Sequence, residues 1–408
     1  MIDISVLYCG FESPSTPHRY GRAIRRDVPG HQRMAVATSA MDRRPIVVWN
    51  ITQTCNLKCV HCYSDSEAKA YEGELTGEEV RRVLDDLAAY KVPAVLFSGG
   101  EPLIRPDLFE LIAYARDLGL HVVISTNGTL ITPDIAKRLV DLKLAYVGIS
   151  LDSATPEVHD KFRGVPGAFE RTMRGFRNCV EAGQKVGLRL TLSRPTFENL
   201  DGVFDFIERE RINRACFYHL VPTGRGKGVL DLTLAESRQA MDTILRRTRG
   251  FHDRGLGIEI LTVDNHCDGP YMYLKMKADG DPRAQDVGEM LGWNGGGLYS
   301  SGVGIGCIDF HGDVHPDQFW MHTSLGSVRQ RPFSEIWQDT SNDLMAGLKD
   351  RRPRLKGRCG ACEFQPLCGG ALRVRAELMT GDPWAADPAC YLTDEEIGLT
   401  SGDNQASP

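Results

Sequence analysis

The sequence predicts an α/β fold, a partial barrel of six strand–helix units followed by a smaller cysteine-bearing domain. Two observations carry this. Apolar, β-branched runs alternate with amphipathic helical patterns from Pro45 onward, and that rhythm breaks after Gly255. The runs are Ile46–Ile51, Ala94–Phe97, His121–Ser125, Ala145–Leu151, Val186–Leu192 and Ala215–Leu220. Near-continuous apolar runs of this length read as strands of a parallel sheet covered on both faces. Between the first two, Thr76 and Glu79 have the spacing of a capping box, and Val80, Val83, Leu84 and Leu87 follow at helical intervals. Leu108, Leu111, Ile112 and Ala115 repeat the pattern until Gly119 stops it. Thr132 and Pro133 open a third helix carrying Ile135, Leu139 and Leu142. Six units are too few to close an eight-stranded barrel, so an open one is expected.

The division follows from the same rhythm. Residues 1–44 read as an irregular N-terminal extension and 45–255 as the barrel, which a long helix around Leu234–Arg249 completes. Residues 256–300, rich in Gly and Asp, read as a connecting segment, and 301–400 as the smaller domain. A chain of 408 residues is long enough for such a pair.

A net charge of −6 gives no reason to expect nucleic acid or an anionic membrane surface as partner. No stretch approaches the roughly 18 uncharged apolar residues that cross a bilayer. Met1 to Arg26 lacks the charged-then-apolar pattern of an export signal. The expected setting is therefore cytoplasmic. In that setting the twelve cysteines are unusual, and seven of them fall into two groups. Clustered cysteines without an export signal point to metal rather than to disulfides. The other five, Cys9, Cys179, Cys216, Cys267 and Cys307, are scattered. A scattered cysteine usually serves as a small buried apolar residue.

The first group, Cys55-x3-Cys59-x2-Cys62, follows the first strand. Three thiolates can hold three irons of a [4Fe–4S] cluster and leave the fourth open to an outside chelator. A structural zinc site would want four closed ligands. His61 is a fourth candidate on paper, but its place between Cys59 and Cys62 gives it poor reach. Ser98-Gly99-Gly100-Glu101-Pro102 follows the second strand. Its glycines permit close backbone approach to a ligand, and Glu101 offers a carboxylate to an ammonium group; the alternative is an ordinary turn before a helix. Ser125–Gly128 and Ser150–Asp152 end the third and fourth strands, on the face where barrels carry their active sites. The second group is Cys359-x2-Cys362-x5-Cys368 with Cys390 further on. Four thiolates can fully ligate a second [4Fe–4S] cluster or a zinc ion.

The first cysteine group, the GGEP run and the strand ends together resemble the radical SAM superfamily, from Pro45 to about Gly226. The resemblance implies a cluster on Cys55, Cys59 and Cys62, with S-adenosylmethionine on the open iron. It implies that Gly99, Gly100 and Glu101 receive the methionine amino group, and that Ser150 and Arg163 contact its carboxylate. An ordinary surface charge is the other reading of Arg163. It further implies one-electron cleavage of the sulfonium and a 5′-deoxyadenosyl radical that abstracts a substrate hydrogen. The region from Cys359 to Cys390 resembles the SPASM/twitch-like C-terminal iron–sulfur domain of these enzymes. Its full form carries two auxiliary clusters, but Asp317 and Leu372 stand here at two of the cysteine positions, and Cys307 lacks those partners. Two [4Fe–4S] clusters in total are therefore expected.

A narrower resemblance lies in Ser5–Gly10, Arg19–Arg22, Ser301–Asp309, Gly312–Trp320 and Cys359–Glu395. These segments are similar to the radical SAM enzymes of siroheme-dependent haem biosynthesis. That group implies an iron tetrapyrrole substrate and an electron donor such as ferredoxin or flavodoxin. Within it the N-terminal segment implies removal of the C2 and C7 acetates of 12,18-didecarboxysiroheme to give iron-coproporphyrin III. The alternatives are haem d1 precursor synthesis, which removes propionates, and a peptide-modifying radical SAM/SPASM enzyme. A non-catalytic electron carrier would leave GGEP and the barrel rhythm without purpose. Substrate carboxylates call for arginine forks. Arg19, Arg22, Arg25, Arg26, Arg189, Arg194 and Arg225 are candidates, each more readily read as an ordinary surface residue than as a substrate clamp. His311, His315 and His322 are candidate iron ligands, and Trp293, Phe319 and Trp320 can stack on a macrocycle or pack in the core. No residue is singled out as taking part in the hydrogen transfer.

Overall fold

The computed structural model describes residues 1–11, 43–229, 231–294 and 296–399. The chain begins in structure: β1 (Ile2–Asp3) runs into a short helix, Ile4–Leu7, whose residues are all buried. The six apolar runs then become β2 (Ile46–Asn50), β3 (Val95–Ser98), β4 (Val122–Thr126), β5 (Tyr146–Ser150), β6 (Val186–Leu192) and β7 (Arg214–His219). Each pairs in parallel with the next, in register Val47 with Val95, Val95 with Val122, and so on around the sheet. Val47, Trp49, Val95, Phe97, Ile149 and Phe217 are fully buried on one face of the sheet, whereas Leu96, Val123 and Arg189 on the other face are only half-buried.

The covering helices start where the sequence places their caps. The helix Gly77–Ala89 has its capping box closed from both sides, Thr76 to the Glu79 amide and Glu79 to the Thr76 amide. Thr132 caps the helix Pro133–Asp141. Gly119, with φ +82°, ends the helix Leu108–Asp117 in the left-handed region that favours glycine.

Two sequence expectations change. Residues 256–300 are more than a connecting segment: β8 (Glu259–Val263) joins β7 as a seventh parallel strand, and helices Asp268–Ala278 and Ala284–Asn294 follow. The strand opens on a charged residue, Glu259, which the neighbouring Arg214 neutralises at 3.2 Å. That charge broke the apolar pattern in the sequence. The N-terminal residues are likewise not irregular. β1 pairs antiparallel with β8, and Ser5 Oγ bridges the Ile258 carbonyl and the Ile260 amide at 2.9 Å each. The remainder of the 1–44 extension, residues 12–42, lies outside the described residues.

The smaller domain grows from the same sheet. β9 (Ile305–Ile308) pairs in parallel with β2 on its free edge, then β10 (Asp313–His315) and β11 (Gly326–Ser327) add antiparallel strands. The full order is β1-β8-β7-β6-β5-β4-β3-β2-β9-β10-β11. Beyond β11 the chain is helical, and Ser334 bonds Asp86 on the helix Gly77–Ala89 through both its amide and its hydroxyl.

Candidate functional site

The parallel strands bring their C-terminal ends to one face, as in barrel enzymes. A cleft of about 780 Å³ opens there. Successive strand ends supply Ser98, Ser125, Ser150, His219 and Asp264, and Phe319 of the smaller domain closes over them. Asp264 holds a left-handed backbone, φ 68°, which non-glycine residues adopt rarely. Burial pushes its carboxyl up to about 6.

The first cysteine group leaves β2 beside this cleft. Cys55 and Cys59 are buried and Cys62 is half-buried. The loop is held by backbone bonds from Lys58 to the Arg163 carbonyl and from Val60 to the Phe162 carbonyl. Arg225 adds two more, to the carbonyls of Cys59 (2.8 Å) and Ser66 (2.9 Å). Donors also reach the sulfurs. The Leu57 amide lies 3.4 Å from Cys55 Sγ, and Arg163 Nη1 lies 3.5 Å from Cys59 Sγ. Arg163 itself is buried and paired with Asp152 at 2.5 Å, so it is not a surface charge. His61 stacks on Phe162 with ring centroids 4.5 Å apart, and burial lowers it to about 4, so the imidazole is neutral.

The glycines of the GGEP run have a physical reason of their own. A Cβ on Gly99 would meet the Thr52 carbonyl oxygen at 2.3 Å, and one on Gly100 the Thr54 carbonyl oxygen at 2.2 Å. Gly99 also sits at φ +122°. The turn is clamped to the start of the cysteine loop by the Gly100 amide to the Thr52 carbonyl and the Glu101 amide to the Thr54 carbonyl. Glu101 is fully buried. Its carboxylate accepts from the Leu103 amide, the Thr126 hydroxyl and the Asn127 amide at 2.7–3.1 Å, which ties β3 to the end of β4. Burial raises it to about 6 in spite of those donors. Ser150 and Arg163 both line the cleft; Gly99, Gly100 and Glu101 are not among its lining residues.

The second group gathers in a separate pocket of about 440 Å³. Cys359, Cys362, Cys368 and Cys390 line it together, and so does Cys267, which the sequence left among the scattered cysteines. No spacing signal ties Cys267 to a group that begins at Cys359; only the fold joins them. A hydrogen bond from Cys267 holds the Cys390 thiol down at about 7 against burial, with help from Arg358. The pocket wall is fixed by a buried pair, Arg375 with both oxygens of Asp387 at 2.8 Å, and the Asp387 amide points at Cys359 Sγ at 3.4 Å. Four thiols in one pocket are the donor set of either a [4Fe–4S] cluster or a zinc ion. Cys307 is elsewhere, buried beside Asn50 Nδ2 at 3.8 Å. Asp317 bonds Ser301, and Leu372 packs with Trp320 and Leu348.

The remaining candidates separate clearly. Arg189 lines the cleft, bonded to Ser125 Oγ at 2.6 Å and stacked over the Tyr218 ring. Arg194 instead pairs with Glu236, and Arg225 serves the cysteine loop. His315 is buried between the Thr323 carbonyl (2.8 Å) and Asp309 (3.4 Å); His322 pairs with Glu377, and His311 bonds the Gly73 carbonyl. None of these three lines the cleft. His219, which the sequence reading passed over, does. Its Nε2 lies 3.0 Å from Asp268, whose other oxygen accepts from Tyr391 at 2.6 Å. Burial alone would raise the Asp268 carboxyl; His219 and the hydroxyls bonded to it hold it below its ordinary value. Trp320 is core, with its Nε1 bonded to Glu377. Arg19, Arg22, Arg25, Arg26 and the Trp293 side chain lie outside the described residues.

Residues 49–207 match the radical SAM superfamily. Fe-coproporphyrin III synthase of Methanosarcina barkeri is 53% identical over 403 residues, spanning 98% of this chain and 99% of the relative. The chain belongs to the radical SAM superfamily. Pre-heme d1 synthase of Dinoroseobacter shibae is 44% identical, over 88% of this chain and 89% of the relative. AdoMet-dependent heme synthase of Nitratidesulfovibrio vulgaris is 33% identical, over 85% and 91%. Among solved structures, Streptococcus suis SuiB bound to S-adenosylmethionine has a TM-score of 0.67 at 19% identity, covering 86% of this chain and 78% of that one. A second, anSMEcpe with bound AdoMet, gives 0.67 at 18% identity, over 86% and 95%. Both share the fold. Radical SAM enzymes use S-adenosylmethionine and a [4Fe–4S] cluster, and the residues here fit them. Three thiols stand on one loop, protein donors point at two of the sulfurs, and the loop borders a cleft. No helix among the described residues is long and apolar enough to cross a membrane.

Proposed function

We propose that this radical SAM enzyme acts in siroheme-dependent haem biosynthesis. It removes the C2 and C7 acetates of 12,18-didecarboxysiroheme to give iron-coproporphyrin III. The observation that carries this reading is the 53% identity to an Fe-coproporphyrin III synthase along essentially the whole of both chains. The 44% identity to a pre-heme d1 synthase favours a second reading, loss of propionates instead.

In this reading Cys55, Cys59 and Cys62 would hold the first cluster. Ser150 and Arg163, which line the cleft, would meet the methionine carboxylate, and the Gly99–Glu101 turn would receive its amino group. When bound, the cluster and S-adenosylmethionine supply one-electron chemistry that removes a hydrogen atom from the substrate. The chain's own residues do the rest. Val48, Leu96, Leu220 and Phe319 offer apolar walls to a macrocycle and keep water from its faces. Arg189, a half-buried guanidinium with no carboxylate at ion-pair distance among those described, offers a fork to a substrate carboxylate. Cys359, Cys362, Cys368 and Cys390 would hold a second [4Fe–4S] cluster in the smaller domain. A low-potential carrier such as ferredoxin or flavodoxin delivers electrons, in the cytoplasm.

The test is an anaerobic incubation of the cluster-reconstituted protein with S-adenosylmethionine, a reductant and 12,18-didecarboxysiroheme, read by mass spectrometry. The expected product has the mass of iron-coproporphyrin III. Products that have lost propionates would establish the second reading. 5′-Deoxyadenosine without any change in the tetrapyrrole would sink both.

A further inference from the structure

The tetrapyrrole reading leaves one question that the fold addresses: what holds the substrate iron. Five histidines have their positions used elsewhere. His315, His322 and His311 are engaged outside the cleft, and His159 accepts from the Asp152 amide in the core. His61 stands between two cysteines of the first loop, against Phe162, on the cofactor side of the cleft.

His219 differs from all of these. It ends β7, beside β8 at one end of the parallel row, and lines the cleft between Tyr218 and Leu220. Its Nε2 is tied to Asp268 Oδ2 at 3.0 Å. Asp268 is fully buried and its other oxygen is taken by the Tyr391 hydroxyl at 2.6 Å. A carboxylate only accepts, so Nε2 carries a proton, and in the neutral imidazole the lone pair is then on Nδ1. A histidine whose second nitrogen donates to a buried carboxylate is the arrangement by which proteins fix the tautomer and raise the basicity of a metal ligand. The carboxylate is fixed in turn: Tyr391 adjoins Cys390 and Asp268 adjoins Cys267, both of which line the second cysteine pocket. The surroundings suit a macrocycle, with Leu220, Val221 and Phe319 as apolar neighbours and Arg189 within the same cleft.

We propose that His219 ligates the iron of the tetrapyrrole substrate through Nδ1, with Asp268 and Tyr391 as positioning residues. This rests on the substrate reading above. It makes His219 the point from which the macrocycle is oriented. It also links the iron, through three hydrogen-bonded side chains, to the backbone that carries Cys390.

The test uses the full-length, cluster-reconstituted protein without S-adenosylmethionine, titrated with ferric 12,18-didecarboxysiroheme and, separately, with the same macrocycle freed of iron. Optical and low-temperature EPR spectra of the bound iron are recorded. In the wild type a nitrogen-ligated iron is expected. His219→Ala should lose that signature and bind the iron macrocycle at least about tenfold more weakly, while its affinity for the iron-free macrocycle stays unchanged; added imidazole should restore the spectrum. His219→Gln, which still offers Asp268 a donor, should behave as His219→Ala does if folding is the concern. Asp268→Asn should keep the ligand but raise the reduction potential of the bound iron, because a less basic imidazole stabilises the ferric state less. Unchanged spectra in His219→Ala and His219→Gln, or loss of the signature in His61→Ala instead, would overturn the ligand assignment and leave the substrate reading intact. Failure of the wild type to bind either macrocycle would overturn both.

Discussion

The two cysteine groups are built in opposite ways. The first lies on one eight-residue loop, seated in the barrel by backbone bonds, by Arg225 and by the Gly99–Gly100 turn pressed against Thr52 and Thr54. The second draws its thiols from three distant segments, around Cys267, Cys359–Cys368 and Cys390. Its scaffold is short helices, Gly357–Ala361, Gln365–Cys368 and Arg373–Thr380. Helices of so few residues do not stand by themselves in water. The barrel thus seats the first loop through contacts of its own, whereas a metal bound at the second site would be expected to add to the stability of the short segments that carry it. Three thiols on a rigid loop also leave an open coordination position, which a pocket with four or five thiols does not.

Paired triple variants give the largest effect and can break this comparison outright. Changing Cys55, Cys59 and Cys62 together to Ala should abolish 5′-deoxyadenosine formation while the thermal midpoint moves little. Changing Cys359, Cys362 and Cys368 together to Ala should leave 5′-deoxyadenosine formation in place, abolish tetrapyrrole conversion and lower the thermal midpoint clearly. Chromatography of the nucleoside product and a melting curve read both. Equal midpoint losses would remove the contrast between a preformed site and a metal-dependent one.

The next effect concerns the ion pairs behind each site. Asp387 with Arg375 is fully buried, and among the described residues no other carboxylate is at ion-pair distance from the guanidinium. Asp387→Ala should cost about 3–5 kcal/mol in chemical denaturation, since it strands a buried charge. It should also release iron from the second site and not the first. A loss below about 1 kcal/mol would mean that water reaches Arg375 and that the wall is softer than its geometry implies.

How far the two regions were legible in the sequence follows the same contrast. The first was legible because its signals are local. Apolar runs became β2 to β7, the Thr76–Glu79 box formed, and the cysteine loop and GGEP run stand at adjacent strand ends. The parts that escaped depend on long-range pairing. β8 opens on Glu259, whose charge conceals a strand until Arg214 is placed beside it. Cys267 enters the second pocket from a helix start that no spacing links to Cys359. His219 was visible as the end of an apolar run, but only the position of Asp268 and Tyr391 makes it different from any other histidine. Glu101 was legible as a carboxylate near the cofactor. That its oxygens are committed to Leu103, Thr126 and Asn127 depends on how β3 and β4 meet.

That commitment gives the smallest effect and a pH signature for the first site alone. Burial places Glu101 at about 6 against an ordinary value of 4.5. A carboxyl raised in the folded state keeps a proton that the unfolded chain gives up. Its contribution to stability is therefore complete below about pH 4.5, declines as pH rises to about 6, and is flat above that, for a total of about 2 kcal/mol. Asp387, held below its ordinary value by Arg375 despite burial, has the opposite sign and loses its contribution only as the pH falls into the acid range. Glu101→Gln should remove the decline between pH 4.5 and 6 in denaturant midpoints, and Asp387→Asn should leave that decline in place. The Gln amide also presents a donor where the Leu103 and Asn127 amides need acceptors, so the variant should be less stable at pH 7 by about 1–3 kcal/mol. An identical slope in wild type and Glu101→Gln would assign the titration to another buried carboxyl, of which Asp264, also near 6 at the far side of the cleft, is the first to substitute.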